Sequence, residues 1–402
     1  MSTEVQPHHK ILIIGGGFGG VKAALKLCQV PNAHVTLISQ TAVFSYYPQL
    51  YHAATGGSRA EAVIPLTQLF AAAAVELVTA TITTLNAEAK TVTASDGQEF
   101  AYDELVLSLG SVTNYFGIAG LEKFAYNIKT IDGAERFKQH LHQQLIAERR
   151  PDVNYVVVGG GATGVELSGA LAEYLHQITT KHGVTTNFRI DLVEASPRLL
   201  PHSSARTAAK VKRRLERLGI NIMTGAEVEA ETAESLQIKG QSIASRTVVW
   251  TAGVANNPFY QANASVLNLG DHGKVTVDDH MQARESVYVI GDNADTKYAG
   301  LAQTAVADGT FVAADIARKL RGVTRPRYHQ SAPFPVIPIG DRWAAATIGP
   351  LEFYGFGGWM LRRLGDFVAY ADIESLPGAL KVWRLDGRRE DDCPICGQPT
   401  AA

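Results

Sequence analysis

The sequence predicts an α/β protein: two Rossmann-like dinucleotide-binding domains, followed by a small, partly helical C-terminal region. Three observations carry this expectation. The run KILIIGGGFGG (10–20) ends an apolar strand in G-x-G-x-x-G, and YVVVGGGATGVEL (155–167) does so again, so one strand–turn–helix unit begins twice. Around each run, short apolar strands alternate with helical periodicity, the pattern of parallel sheets covered by helices. After Pro335 the texture changes to aromatic, glycine-rich and arginine-containing sequence.

The bulk numbers narrow the class. A chain of 402 residues has room for two or three domains with their own cores. A net charge of -2 gives no electrostatic case for nucleic acid. Three cysteines are too few for a secreted disulfide scaffold, and MSTEVQPHHK lacks the apolar stretch of a signal peptide. No apolar run reaches the roughly 18 residues that cross a bilayer. The expectation is a cytoplasmic protein, with attachment to a membrane surface left open.

Taken in order, KILIIGGG reads as a strand, FGGVKAALKLCQV as a helix and AHVTLIS as the second strand. Gly15 permits the tight turn, Gly17 lets the backbone approach a pyrophosphate, and Gly20 lets helix and strand pack closely. Phe18 and Gly19 open the helix, whose unpaired N–H groups favour an anion. The acid expected at the end of the next strand is absent. Ser39 and Gln40 stand there, and a serine hydroxyl can still bond a ribose.

In the second unit Gly159, Gly161 and Gly164 repeat the pattern. A helix follows from Gly164 to about His176, and the strand FRIDLVEA comes next. Glu194 closes that strand 30 positions after Gly164, beyond the usual spacing of about 20, and a polar insertion around QITTKHGVTTN accounts for the excess. A carboxylate there accepts bonds from ribose hydroxyls and repels a 2′-phosphate, which favours NADH over NADPH. Arg198, four residues on, has the opposite tendency. Glu166, just inside the helix, reads either as favourable dipole placement or as a functional carboxylate beside the nicotinamide. TVVWTAGV, with Gly253, and VYVIGD are two further short strands ending in glycine. In the second, Asp292 after Gly291 is placed to take the ribityl hydroxyls of a flavin, although an ordinary turn also tolerates Gly-Asp.

Beyond Pro335, apolar residues at Phe356, Trp359, Met360, Leu364, Phe367, Val368 and Ala371 form an i, i+3, i+4 stripe, with Arg362, Arg363 and Asp366 off it or at its edge. Such a helix lies in a membrane interface, with Trp at the headgroups and Arg toward phosphates, or it packs on the protein itself. Cys393 and Cys396 form one C-x-x-C knuckle, half of a zinc site, with redox activity and a plain tail as the other readings.

Both fingerprints, FSYYPQLYHAATGG (44–57), ELVLSLGSVTNYFGIAG (104–120), TVVWTAGV, VYVIGD and GLAQTAVADG together resemble the type II NADH dehydrogenases. These are single-subunit, non-proton-pumping NADH:quinone oxidoreductases of the two-dinucleotide flavoprotein superfamily, and the similarity runs from about residue 10 to about residue 372. The resemblance implies FAD on the first fingerprint, NADH on the second, and a membrane quinone as electron acceptor. It implies peripheral attachment to the cytoplasmic face of the cell membrane through the amphipathic helix, and commonly a homodimer. Pro48 and Gly110 fall in its flavin-proximal segments. Ala302 and Gln303 fall at the flavin edge, where the Gln303 amide would donate to a quinone carbonyl. The family pattern Ala-Gln-x-Ala-x-Gln is broken here, because Ala307 replaces the second glutamine and Asp308 follows it.

The implied division is 1–118 with 256–335 for FAD, 119–255 for NADH and 336–402 for membrane association. Sulfide:quinone oxidoreductases and disulfide reductases share the architecture, but they need a cysteine beside the flavin. Between Cys28 and Cys393 this chain has none. Two alternatives remain: a reductase of a small protein electron carrier, and an NADH-binding redox-sensor flavoprotein.

Overall fold

Four consecutive buried residues, Ile11 to Ile14, set the first fingerprint strand inside the protein rather than on one face of it. A strand covered on both faces reads as a continuous apolar run, and its neighbours in such a sheet are parallel. The computed structural model, which describes residues 9–184 and 187–385, has this arrangement. His9–Ile14 pairs in parallel with Ala33–Ser39 on one side and with Glu104–Leu107 on the other. Val75–Thr79 extends the sheet at one edge, and Val287–Val289 followed by Gln282–Arg284 extends it at the other, giving six strands. The chain therefore leaves this sheet after residue 107 and returns to it at residue 282.

The intervening chain builds a second, four-stranded parallel sheet in the order Ile220–Thr224, Arg189–Glu194, Asn154–Val158, Thr247–Trp250. Its central strand, Asn154–Val158, carries the second fingerprint and is buried throughout. The outward and return crossings between the sheets run side by side, because Ser111–Thr113 pairs antiparallel with Val254–Asn256.

The second fingerprint helix is longer than its sequence suggests. It was expected to end near His176 before a polar insertion, yet it runs Ala162–His182 and takes in most of QITTKH. Ile178 and Thr179 are buried in line with Leu171 and Leu175, so the core-facing stripe continues through the polar letters. The helix stops at Gly183, whose left-handed φ of 61° turns its N–H back onto the last carbonyls.

A third unit follows: an antiparallel sheet of Val336–Pro338, Ala344–Ile348 and Leu351–Gly355, then the helices Phe356–Ala371 and Leu376–Leu385. It belongs to both cores at once. Ile337, Ile339 and Ala345 join the apolar cluster of the second sheet, whereas Tyr370, Ile373, Ala379 and Val382 join that of the first. The helix Phe356–Ala371 is inverted relative to an ordinary surface helix. Gly358, Arg362, Asp366 and Tyr370 are buried, while Phe356, Met360, Leu364 and Val368 are between 56 % and 59 % exposed. The expectation that its arginines point outward toward phosphates is therefore corrected. Arg362 is buried, and Arg363 lies over the Trp383 ring, 4.2 Å from its centroid. Among the described residues no helix is long and apolar enough to cross a membrane.

The helix Ala302–Leu320 crosses the first fingerprint helix, Phe18–Leu27, at a distance that only glycine allows. A Cβ on Gly309 would stand 2.4 Å from the Gly19 carbonyl oxygen, a backbone atom that cannot move aside alone. Gly309→Val should therefore force the two helices apart and cost on the order of 1–3 kcal/mol. A urea midpoint equal to that of the wild type would show that the crossing relaxes freely.

Candidate active site

The two fingerprint turns have the same geometry. Gly15 and Gly159 take positive φ values of 116° and 114°. A Cβ on Gly20 would lie 1.9 Å from the Gly15 oxygen, and one on Gly164 would lie 1.8 Å from the Gly159 oxygen. These four positions thus close the strand-to-helix turn itself. Gly17 and Gly161 differ, since a Cβ on either would meet nothing within 4 Å. Each is the N-cap of its helix and supplies no capping side chain, so the first helical N–H groups face open space. Two anion cradles result, each fitting a dinucleotide pyrophosphate.

The first cradle is closed in by distant residues. Phe18 is buried edge-on against Phe44 at 4.9 Å, and Gly19 sits beneath Ile290, Ser108 and Ala305. The Ser39 hydroxyl lies beside Gly16 and accepts from the Thr41 N–H at 3.4 Å, while Gln40 is exposed. Opposite stands the turn at Gly291, with φ 70°. Asp292 there accepts from the Ser111 hydroxyl at 2.5 Å, and Lys129 donates to that same hydroxyl at 3.0 Å. Asn293 clamps Gly110 from both sides, accepting from its N–H at 2.8 Å and donating to its carbonyl at 2.7 Å.

At the second cradle the Glu194 carboxylate accepts from Gly160 N–H at 2.5 Å and Ser196 N–H at 2.6 Å, which holds it at the lip of the turn. Arg198 does not compete with it. The guanidinium donates to the carbonyls of Leu200, Pro201 and Ser203, so it ties up its own loop rather than facing a 2′-phosphate. A Cβ on Gly253 would meet the exposed Phe116 ring at 2.4 Å, so a side chain there requires that ring to move.

Ala302 begins the long helix and is half-buried, and Gln303 beside it is exposed. The Gln303 amide exchanges two bonds of 3.1 Å with the backbone of Phe334, so it fastens the entry to the C-terminal unit. Ala307 is exposed, and Asp308 turns the other way. Asp308 is fully buried, accepts from the Gly291 N–H at 3.0 Å and from the Tyr328 hydroxyl at 2.5 Å, and so braces the Gly-Asp turn from behind. Burial raises its pKa, and those two bonds oppose the rise. Asp308 therefore does not stand in for the missing glutamine.

Glu166 lies where the second fingerprint helix meets the C-terminal helix. Desolvation raises its carboxyl to about 8, with Arg362 pulling it down and Asp366 pushing it further up. Arg362 donates to Asp366 at 2.5 Å and to the Pro48 carbonyl at 3.0 Å, and Asp366 accepts from the Tyr46 hydroxyl at 2.8 Å. Burial disfavours the Arg362 charge, but Asp366, Tyr51, Glu166 and Tyr46 outweigh it and hold the guanidinium protonated. The fold thus brings Glu166, Pro48 and the C-terminal helix together around one cation.

Sequence reading missed Arg362 and Asp366 as site residues. Their i, i+4 spacing on an otherwise apolar helix was the available signal. It also missed Lys129, which no motif marks. Among the described residues no cluster of ligating side chains could hold a metal, and Cys393 and Cys396 lie outside those residues.

Residues 9–309 match the family model of pyridine nucleotide-disulphide oxidoreductases. The chain is 30% identical over 400 residues to the type II NADH:quinone oxidoreductase Ndh of Mycobacterium tuberculosis, covering 90% of this chain and 85% of that one. It is 29% identical over 399 residues to the type II NADH:quinone oxidoreductase of Staphylococcus aureus strain MSSA476, covering 94% of this chain and 98% of that one. In fold it is similar to NDH2 of Plasmodium falciparum solved in complex with NADH, with a TM-score of 0.84 at 18% identity over 94% of this chain and 97% of that one. It is also similar to the sulfide:quinone oxidoreductase of Aquifex aeolicus, with a TM-score of 0.76 at 18% identity over 92% of each chain.

The raised pKa of Glu166 has a signed consequence for stability. Between the ordinary value of 4.5 and about 8 the unfolded chain has lost this proton while the folded one keeps it, so stability falls as pH rises through that window. Glu166→Gln removes this contribution. Denaturant unfolding at about pH 5 and about pH 8 should show the wild type losing ground to the variant at the higher pH, whereas a constant difference would put the carboxyl in an ordinary environment.

Proposed function

The chain belongs to the type II NADH:quinone oxidoreductases of the pyridine nucleotide-disulphide oxidoreductase family, and we propose that it oxidises NADH and passes the electrons to a membrane quinone without pumping protons. The observation that carries this reading is the pair of matched, open cradles at Gly15–Gly20 and Gly159–Gly164, each fit for one dinucleotide. Residues 1–118 with 256–335 hold FAD in this proposal, and 119–255 hold NADH. Bound FAD supplies chemistry that no side chain here can: it takes hydride at N5 from C4 of the nicotinamide, and it can release electrons singly or in pairs to a quinone.

The protein's share is binding, orientation and proton handling. Gly17 and Gly161 leave room for the pyrophosphates, Asp292 takes the ribityl hydroxyls, and Glu194 takes the adenosine ribose and excludes a 2′-phosphate. Pro48, Gly110 and Ala302 line the flavin, and Gln303 stands toward the quinone. Glu166, whose carboxyl desolvation raises to about 8, is in this proposal a proton store beside the reacting ends, with Arg362 moderating that rise.

Membrane attachment is supported by the inverted helix Phe356–Ala371. Four large apolar side chains on one stripe stay more than half exposed, Phe356 even while stacked on Trp359, and covering them is worth about 1 kcal/mol each at their present exposure. Leu351 and Leu376, 59% and 67% exposed, add to the same unit's apolar surface. The reading is a reversible, peripheral attachment at the cytoplasmic face, with the enzyme working as a homodimer.

An anaerobic experiment on the purified flavoprotein tests the relay. Flavin absorbance should bleach with NADH and return promptly with a short-chain quinone in liposomes. A flavin that stays reduced would reject quinone as the acceptor and favour a protein electron carrier or a sensor. For the membrane, Met360→Glu with Leu364→Glu should abolish sedimentation with liposomes and slow turnover of a lipid-dissolved quinone about tenfold or more, with a water-soluble quinone spared. Unchanged sedimentation would remove the stripe from the attachment.

A further inference from the structure

Lys129 reaches from the second unit into the first. Its backbone is fixed on the second sheet, where Tyr126 donates to the Val248 carbonyl at 2.8 Å and accepts from the Trp250 N–H at 2.7 Å. Immediately after it, Thr130 caps the helix Ile131–His142 by accepting from the Gly133 N–H. The segment that carries Lys129 is thus anchored on both sides. Its ammonium crosses to the first unit, donates to the Ser111 hydroxyl at 3.0 Å, and lies over the Tyr47 ring, 4.9 Å from the centroid. Ser111 in turn donates to Asp292 at 2.5 Å. Among the described residues the ammonium makes no direct ion pair, so a hydroxyl and an aromatic face are what hold it.

A half-buried lysine without a direct counter-ion is costly unless some charge nearby needs it. Burial lowers the Lys129 pKa and Asp292 opposes that, so the carboxylate favours the charged ammonium. The benefit also runs in the other direction. Asp292 is a fixed negative charge at the flavin seat, and hydride leaves the nicotinamide with its electron pair. The nicotinamide is oxidised and becomes cationic, and the accepting side gains one negative charge. An uncompensated carboxylate would resist that gain.

We infer that Lys129 is a positioning and charge-compensating residue of the reaction, whose ammonium offsets Asp292 so that negative charge can arrive at the flavin seat. This rests on the assignment of FAD to the first cradle. It explains why the cation comes from the NADH-binding unit. Seating of that unit against the first brings the compensating charge with it, so the acceptor is primed only when donor and acceptor sites are docked.

The test is the midpoint potential of the bound flavin, measured in holoenzyme with chemical reductant and mediators rather than with NADH. Lys129→Gln, which keeps an N–H donor on a stem one atom shorter but lacks the charge, should shift the potential negative. It should also slow anaerobic flavin bleaching by NADH on the order of tenfold. Lys129→Arg should restore both, and Lys129→Met should behave as Lys129→Gln does. An unchanged potential in a fully flavinated Lys129→Gln would overturn the inference, and so would a Lys129→Gln that sheds flavin while Lys129→Arg keeps it, since the role would then be retention. Because the potential needs neither NADH nor quinone, these outcomes are separate from a failure of the relay, in which wild-type flavin would not respond to NADH at all.

Discussion

The Arg362 guanidinium bonds the first unit and its own helix and acts electrostatically on the second, and much of the remaining geometry follows from keeping it satisfied. It donates to Pro48 in the first unit and to Asp366 on its own helix, and it faces Glu166 in the second unit. Asp366 takes a further bond from Tyr46, so the loop at Tyr46 and the C-terminal helix share one buried network. A planar fork of donors suits this task better than a lysine point charge. Breaking such a buried pair by removing one partner typically costs about 3–5 kcal/mol, because the survivor is left charged and dry. The helix Phe356–Ala371 therefore cannot turn its apolar stripe inward: doing so would pull Arg362 and Asp366 away from the Pro48 carbonyl and the Tyr46 hydroxyl. The outward-facing Phe356, Met360, Leu364 and Val368 are the consequence of a polar anchor beneath them.

The two cradles are built alike but finished differently. At the second, the residue that completes the site is local: Glu194 ends the neighbouring strand and bonds the turn itself. At the first, the next strand ends in Ser39, and the acid comes from Asp292, with Asn293 and Gly110 locked beside it. A site assembled from distant segments encloses what it holds, and one built from adjacent strands leaves its occupant a way out. The exposure agrees, since Gly161 is exposed and Gly17 only half-buried. That asymmetry suits a retained cofactor at the first cradle and an exchanging substrate at the second.

The helix Ala302–Leu320 shows how one face can serve two neighbours. Its small residues, Gly309 above all, let it lie directly on the first fingerprint helix. Asp308 is drawn inward to brace the Gly291 turn, and the outward positions carry Gln303 and Ala307. Ala307 stands on the exposed side of the helix, away from this brace.

The sequence by itself determined the two strand–turn–helix units, because G-x-G-x-x-G after an apolar run leaves the backbone one practical way to turn. It also marked Glu194 at the end of one short strand and Asp292 in the turn just after another, because both positions are fixed by adjacent residues. It misjudged the end of the second helix, where buried Ile178 and Thr179 continue a core face that polar letters conceal. It could not show which side of the helix Phe356–Ala371 faces inward, because an apolar stripe is equally fit for a core or a lipid surface. Only tertiary packing decided that, by offering Arg362 the Pro48 carbonyl and Asp366 the Tyr46 hydroxyl, which solvent-facing placement would forgo. The same holds for Arg198, drawn into its own loop, and for Lys129, whose reach to Ser111 exists only once the two sheets are docked. Local backbone constraints are written in adjacent residues, whereas the partners of a long charged side chain are chosen by what the folded chain brings within its reach.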